Sequence, residues 1–162
     1  MVDSKSSEKR AEKIIATNRK ARYEYHIIDS MEAGLVLLGS EVKSLREGKA
    51  NINDCYAKIK NGELWVIGMH ISQYKKDTIQ NLDPLRDRKL LLHKIEVRRL
   101  TRRIEEKGMT LIPLRLYFKN NIAKLELGIA RGKRQYDKKA AIAQKDIDRD
   151  MEREQKKYKY KL

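Results

Sequence analysis

Apolar positions are concentrated between two polar ends. Residues 1–12, with Ser4, Lys5, Glu8, Lys9 and Arg10 among them, offer nothing to bury and are expected to be a flexible N-terminus. Residues 13–132 hold nearly all the apolar material and are the expected folded domain, and residues 133–162 return to dense charge. Ile112, Leu114, Leu116 and Phe118 alternate with Arg115, Tyr117 and Lys119. Beyond Asn120-Asn121, Ala123, Leu125, Leu127 and Ile129 alternate with Lys124, Glu126 and Gly128. A period of two predicts strands with one buried and one wet face. Residues 56–60 and 64–67 flank Asn61-Gly62, which suits the two positive φ angles of a type I′ hairpin turn. Further strands are expected over 23–29 and 35–38, parted by turn-prone Ser30 and Gly34. Pro113 donates no ladder hydrogen bond and points to an edge or a bulge.

Two helices interrupt the strands. In the first, Ser40 is the expected N-cap, Glu41 lies in the first turn, Val42 and Leu45 share a face, and Gly48 ends it. The second is expected over 90–107, stopping at Gly108, with Val97, Leu100 and Ile104 as its buried stripe. Lys94, Arg98 and Arg102 form a basic row on the same helix. About six short strands with two helices predict a mainly β fold, a small closed or partly open barrel with peripheral helices.

Charge narrows the class of partner. The 38 Lys and Arg residues against 23 Asp and Glu give +15, a self-repelling excess that a polyanion relieves. Catalytic chemistry finds no comparable signal. Cys55 is the one cysteine and His26, His70 and His93 are scattered, so neither a disulfide nor a zinc site has its ligands at the right spacing. No nucleotide loop and no nucleophile elbow are present, and no cofactor is expected. Glu41 and Asp54 as paired carboxylates explain less than a helix cap and a turn do, and His70 reads equally as a base, an RNA contact or a plain strand-end residue. The chain reads as not an enzyme. Its apolar runs are too short for a bilayer and its start lacks a signal peptide, so a cytoplasmic protein with no membrane partner is expected.

Four basic clusters fall at element boundaries: Asn18-Arg19-Lys20-Ala21-Arg22; Lys43 with Arg46, one helical turn apart; Arg86, Arg88 and Lys89; and Arg131-Gly132-Lys133-Arg134. Boundary loops that converge on one rim of a barrel make a phosphate-binding surface, with arginine supplying a bidentate fork and lysine a point charge. Tyr23, Tyr74 or Tyr136 would add base stacking if exposed.

The last segment differs in kind. Between Arg131 and Leu162 there are 12 basic and 6 acidic residues. Lys145, Arg149, Arg153 and Lys157 recur every four residues beside Asp146, Asp150 and Glu154, while Ala140, Ala143, Ile147 and Met151 make one thin apolar seam. Charge pairs at about 0.2–0.5 kcal/mol each support a helix but do not offset backbone ordering. A basic tail is expected, flexible when free and helical when bound in a polyanionic groove. Its final Lys156-Lys157-Tyr158-Lys159-Tyr160-Lys161 alternates cation and ring.

Several ordered segments carry a resemblance. They are Asn18-Arg19-Lys20-Ala21, Gly39-Ser40-Glu41-Val42-Lys43-Ser44-Leu45-Arg46, Lys49-Ala50-Asn51-Ile52, Arg86-Asp87-Arg88-Lys89-Leu90-Leu91-Leu92 and Gly132-Lys133-Arg134-Gln135-Tyr136-Asp137-Lys138-Lys139. From Asn18 to Lys139 the chain resembles the SsrA-binding protein family, although the last motif commonly ends Asp-Lys-Arg and here ends in Lys139. The resemblance implies an oligonucleotide-binding (OB) type closed barrel with peripheral helices. It implies binding to the tRNA-like domain of transfer-messenger RNA (tmRNA) and rescue of stalled ribosomes by trans-translation. Elongation factor Tu and alanyl-tRNA synthetase would be indirect partners through the RNA.

By position, the resemblance places Asn18, Arg19, Lys20, Glu41, Lys43, Arg46, His70, Arg86, Lys89, Lys124, Arg131, Gly132 and Lys133 at or near the RNA surface. Tyr136, Asp137, Lys138 and Lys139, continued by Lys145, Arg149, Arg153 and Lys157, would form the ribosome-binding tail. That tail would meet small-subunit rRNA at the decoding centre and enter the empty mRNA channel. A monomer is expected. A basic ribosomal or other structural RNA-binding protein is the alternative that composition alone leaves open, and an RNA-modifying enzyme is a remote third.

Overall fold

The computed structural model describes residues 12–76, 82–133 and 135–159. The expectation for residues 1–12 therefore lies outside the described residues except for Glu12, as does that for Arg134, Tyr160 and Lys161. The order is β1 (Glu12–Thr17), α1 (Ala21–Glu24), β2 (Tyr25–Leu35), α2 (Gly39–Arg46), β3 (Ala50–Asn51), β4 (Tyr56–Lys60), β5 (Glu63–Ile67), β6 (His70–Ile71), β7 (Arg88–Leu91), α3 (Lys94–Lys107), β8 (Thr110–Lys119), β9 (Ile122–Gly132) and α4 (Gln135–Lys159).

The expected mainly β fold is present, and the main sheet closes on itself. Its order is β1-β8-β4-β5-β7-β2-β9, every pairing is antiparallel, and β9 returns to pair with β8. A single pair, Ala57 with Leu111, joins β4 to β8 and completes the ring. β1 takes the same edge of β8 farther along, opposite Arg115 to Lys119. β3 and β6 form a separate two-stranded ladder. Leu64, Val66, Leu90, Leu111, Leu116, Leu125, Leu127 and Ile129 fill the interior at 2% exposure or less, and Leu45 of α2 and Leu100 of α3 close it from outside.

Both asparagine turns fold as their residues dictate. Asn61 and Gly62 have φ of 51° and 74°, and Asn120 and Asn121 have 52° and 61°, so two-residue turns join β4–β5 and β8–β9. Pro113 marks a bulge on a central strand, because the β8–β9 register shifts between Pro113 and Arg115. One extra residue flips the sidedness of a strand. Leu111 before the bulge and Leu116 and Phe118 after it face the main core, while Ile112 and Leu114 face a second cluster with Ala21 and Ala130. That is why β8 is apolar on both faces for much of its length instead of alternating wet and dry. Gly128 lies under this bulge, and a Cβ there would meet the Leu114 side chain at 3.1–3.2 Å.

Three boundaries differ from the sequence expectation. The segments 23–29 and 35–38 are not two strands: β2 is one strand of 11 residues running through Ser30 and Gly34, because β9 pairs with it at both positions. Tyr23 belongs to α1, and residues 36–38 lie outside any strand. Leu90 and Leu91 are not helical. They belong to β7, paired with Leu64 on β5 and with Leu35 and Gly34 on β2, and α3 begins only at Lys94. Ser40 is not the cap of α2, since the helix starts one residue earlier and the Glu41 carboxylate accepts the Leu38 N–H at 3.1 Å. The expected ends hold: Gly48 at φ 73° follows α2, and Gly108 at φ 59° donates its N–H to the Ile104 carbonyl at 3.1 Å.

The tail is helical, as expected of its bound form: residues 135–159 make one continuous helix. From Ile142 onward its described side chains are exposed, the seam of Ile147 and Met151 included. Its own ion pairs are long and solvated, Asp146 with Arg149 at 3.9 Å and Asp150 with Arg153 at 3.8 Å.

Candidate nucleic-acid interface

The basic clusters are organised by one buried ion-pair network. Glu41 on α2 is 4% exposed and Arg88 on β7 is 1% exposed. Arg88 Nε donates to Glu41 Oε2 at 2.5 Å, its Nη1 donates to the carbonyls of Met69 at 2.7 Å and Arg86 at 3.2 Å, and its Nη2 donates to that of Pro84 at 3.1 Å. Arg86 donates Nε to both Glu41 oxygens at 3.2 Å and Nη2 to Oε1. Burial alone raises the Glu41 pKa, but the Arg86, Leu38 and Arg88 hydrogen bonds outweigh it and hold the carboxyl below the usual glutamate range. Burial lowers the Arg88 pKa against the opposing pull of Glu41. Each guanidinium nitrogen of Arg88 donates to a fixed acceptor, so it fastens the segment before β7 to α2 and to Met69, just before β6. Arg88 is therefore corrected from a candidate surface cation to an internal strut. Arg86, half-buried, stands between the strut and solvent.

On that base α2 presents its cations. Lys43 and Arg46 are exposed, and Lys43 Nζ lies 5.4 Å from the centre of the Tyr74 ring, within cation–π range. The α2 helix is tied to β6 by Ser44 Oγ donating to the Ser72 carbonyl at 2.6 Å. His70, exposed, pairs with Asn51 across the β3–β6 ladder. Asp54 follows that ladder and pairs with Lys20 at 3.5 Å, both largely solvated, so it is no partner of Glu41 in a carboxylate pair.

Asn18 is the buried member of its cluster. It is 5% exposed, its N–H and Nδ2 donate to the carbonyls of Leu114 and Pro113 at 2.8 and 3.0 Å, and its Oδ1 accepts the Ala21 N–H at 3.2 Å. The side chain locks the start of α1 onto the β8 bulge and so aims Arg19 and Lys20 outward. The end of β9 joins the same place, since Tyr25 pairs with Gly132 and Lys133 donates its N–H to the Glu24 carbonyl at 2.9 Å. Arg19, Lys20, Arg131, Gly132 and Lys133 are thereby gathered from opposite ends of the domain.

Lys124 and Lys89 stand apart from this group. Lys124 lies opposite both Tyr117 and Gly34, and Gly34 lies opposite Leu91, which makes one row across β8, β9, β2 and β7. Glu32 is its anionic hub: Tyr117 Oη donates to it at 2.5 Å, and Lys119 and Lys124 approach at 3.4 and 3.7 Å. The Tyr117 hydrogen bond holds the Glu32 pKa low. Lys89 pairs with Glu63 at 2.8 Å. Convergence of the boundary clusters on one rim therefore holds for the α1–β9 end and not for Lys89, while Lys124 belongs to none of the four clusters. Sequence pattern gives no sign of Glu32 or Leu91 in this row, because Ser30 and Gly34 around Glu32 suggest a turn and Leu91 adjoins a helical pattern, while Tyr117, on the expected wet face, is 2% exposed. Among the tail residues, Lys138 is half-buried and Lys139, Lys145, Arg149, Arg153 and Lys157 are exposed, while the side chains of Tyr136 and Asp137 lie outside the described residues.

Other chemistry has little to work with. Cys55 is buried, its Sγ donates to the Ile52 carbonyl at 3.0 Å, and burial pushes the thiol up to about 12. Among the described residues no cluster of His, Cys, Asp and Glu is placed to hold a metal, and no helix is long and apolar enough to cross a membrane.

Comparison with known proteins decides the family. The family model described as SmpB protein matches residues 15–157. The chain belongs to the SmpB family. Relatives called SsrA-binding protein include one from Acetivibrio thermocellus, 54% identical over 90% of this chain and 94% of that one. Another, from Syntrophomonas wolfei, is 57% identical over 87% and 90%, and one from Limosilactobacillus reuteri is 48% identical over 95% and 98%. A solved structure of a family member, described as "tmRNA-SmpB: a journey to the center of the bacterial ribosome", is 47% identical and matches with a TM-score of 0.63, covering 78% of this chain and 93% of that one. The family match extends through most of α4, so the sequence of this segment falls within the family model.

Proposed function

We propose that this protein binds the tRNA-like domain of tmRNA and carries it to stalled ribosomes in trans-translation. The observation that carries this reading is a near full-length match to SsrA-binding proteins and to a solved tmRNA-SmpB structure. The geometry supports a division of labour. The end of the domain that gathers Arg19, Lys20, Arg131 and Lys133, with Lys43, Arg46 and His70 on the neighbouring α2–β6 surface, engages the phosphates of the tRNA-like domain. The Lys124–Glu32 row is a second contact band. Asn18, Glu41 and Arg88 position these groups from within and do not touch the RNA. The exposed cations of α4 meet small-subunit rRNA at the decoding centre and in the empty mRNA channel. Elongation factor Tu and alanyl-tRNA synthetase act on the same RNA, and the protein works in the cytoplasm as a monomer without catalysis of its own.

The test is a titration of the full chain with a tRNA-like fragment of tmRNA and with ordinary tRNA at several salt concentrations. The fragment binds more tightly at every salt. Arg131→Ala and Lys43→Ala each reduce the salt slope by about one. Equal affinity for both RNAs leaves only a generic polycation and overturns the reading. Truncation after Lys139 spares fragment binding and abolishes tagging of stalled chains; normal tagging by the truncated protein removes α4 from the mechanism.

A further inference from the structure

Two sets of charges fall outside the reading above. On α3, Lys94, Arg98, Arg99 and Arg102 are exposed and make no ion pair with a described residue. On α4, residues 146–154 hold five acidic and two basic residues, an acidic stretch in a protein of +15 that phosphates would repel. Asp146, Asp150 and Glu154 repeat every four residues, as do Lys94, Arg98 and Arg102.

We propose that the outer face of α3 is a docking surface for the acidic middle of the C-terminal helix of the same chain. The two helices lie antiparallel, with Asp146 beside Arg102, Asp150 beside Arg98 and Glu154 beside Lys94. The register follows from chain geometry. Arg103 of α3 is held to Asp29 of β2 at 3.0 Å, and four residues earlier Tyr25 pairs with Gly132, three residues before α4 starts. That leaves about 13 Å of strand between the anchor and the α4 junction. Asp146 lies about 17 Å along α4 from Gln135, so a helix turned back over β2 brings Asp146 level with the Arg102–Arg103 turn. Antiparallel pairing also sets the α4 seam of Ile147 and Met151 on the side of Ile95, which is 62% exposed. The internal pairs of α4, at 3.8–3.9 Å and solvated, are easily given up. In the structure the start of α4 meets α1 and its described side chains from Ile142 onward are exposed, so docking on α3 is a second arrangement favoured by low ionic strength, and it does not rest on the RNA reading.

Spin labels on Glu106→Cys and Gln144→Cys in the full chain report the contact by electron–electron distance measurement, with buried Cys55 left unlabelled. A short distance is populated at low ionic strength and fades as salt rises. Arg98→Glu with Arg102→Glu lowers the docked-to-undocked ratio about tenfold, the scale of several exposed pairs acting together. Arg98 and Arg102 are exposed and glutamate is a good helix former, so the helix persists. Adding Asp146→Lys and Asp150→Lys restores the short distance. A wild-type chain with no short distance at low salt, or one that charge reversal leaves unchanged, overturns the proposal. So does a short distance found only between separate molecules, which makes the partner a second copy. If charge reversal weakens RNA binding and the distance stays fixed, the α3 row is an RNA contact instead.

Discussion

The Glu41–Arg86–Arg88 network and the α4 helix use the same residue types to opposite ends. In the network, charges are drawn out of water onto fixed acceptors, and each distance is set by the elements around it. On α4, Asp146, Arg149, Asp150 and Arg153 keep well over half of their side-chain surface in water and pair only along their own helix. Removing one member of a buried pair strands the other, whereas solvated charges exchange partners with water at little cost. The first region is therefore a strut and the second a surface free to choose partners.

The largest effect that tests this contrast is Arg88→Met. It leaves Glu41 short of a buried partner and costs about 3–5 kcal/mol by urea unfolding, while Lys145→Met on α4 changes stability by less than about 0.5 kcal/mol. Equal losses at the two positions would erase the distinction. Next comes Gly128→Ala, which drives a Cβ into Leu114 beneath the bulge and costs about 1–3 kcal/mol in thermal denaturation. Leu114→Ala in the same chain opens the space, so the pair loses less than the sum of the singles, and strict additivity would mean no contact.

Acid gives a third, smaller test. The folded pKa of Glu41 lies below its unfolded value, so its stabilisation is present above the ordinary glutamate range near 4.5 and fades as pH falls through the folded value. Glu41→Gln flattens that limb of the stability–pH curve by up to about 1.4 kcal/mol per pH unit. Identical curves for the two proteins would show that Glu41 does not titrate against a folded partner. The smallest expected effect is truncation after Lys139: the melting temperature of the barrel stays where it was, because described side chains from Ile142 onward bury almost nothing. A clear drop would reveal docking of α4 strong enough to support the barrel.

Local chemistry made much of the fold legible. Asn61-Gly62 and Asn120-Asn121 set their turns, Gly48 and Gly108 stopped their helices, and the alternation through β9 marked its buried face, because each signal acts within a few residues. The misreadings share a cause. Ser30 and Gly34 look like a break until β9 pairs across them, and Leu90-Leu91 looks helical until β5 and β2 lie on either side. The candidate site divides in the same way: Arg19, Lys20, Lys43, Arg46 and Arg131 are exposed as their clusters suggested, while Asn18 and Arg88 turned inward.

By itself the sequence determined that this is a strongly basic, mainly β chain with a charged helical extension, and its ordered motifs determined the family. Those properties depend on residue type and on spacing along the chain. Tertiary structure alone decided which cations are free and which are struts, that the β8 bulge puts Ile112 and Leu114 on a second core, and that the start of α1 meets the end of β9. The physical reason is that burial and pairing belong to residues distant in sequence. Arg88 and Lys89 are adjacent in the chain, but only the folded ring gives Arg88 four acceptors and leaves Lys89 at the surface with Glu63.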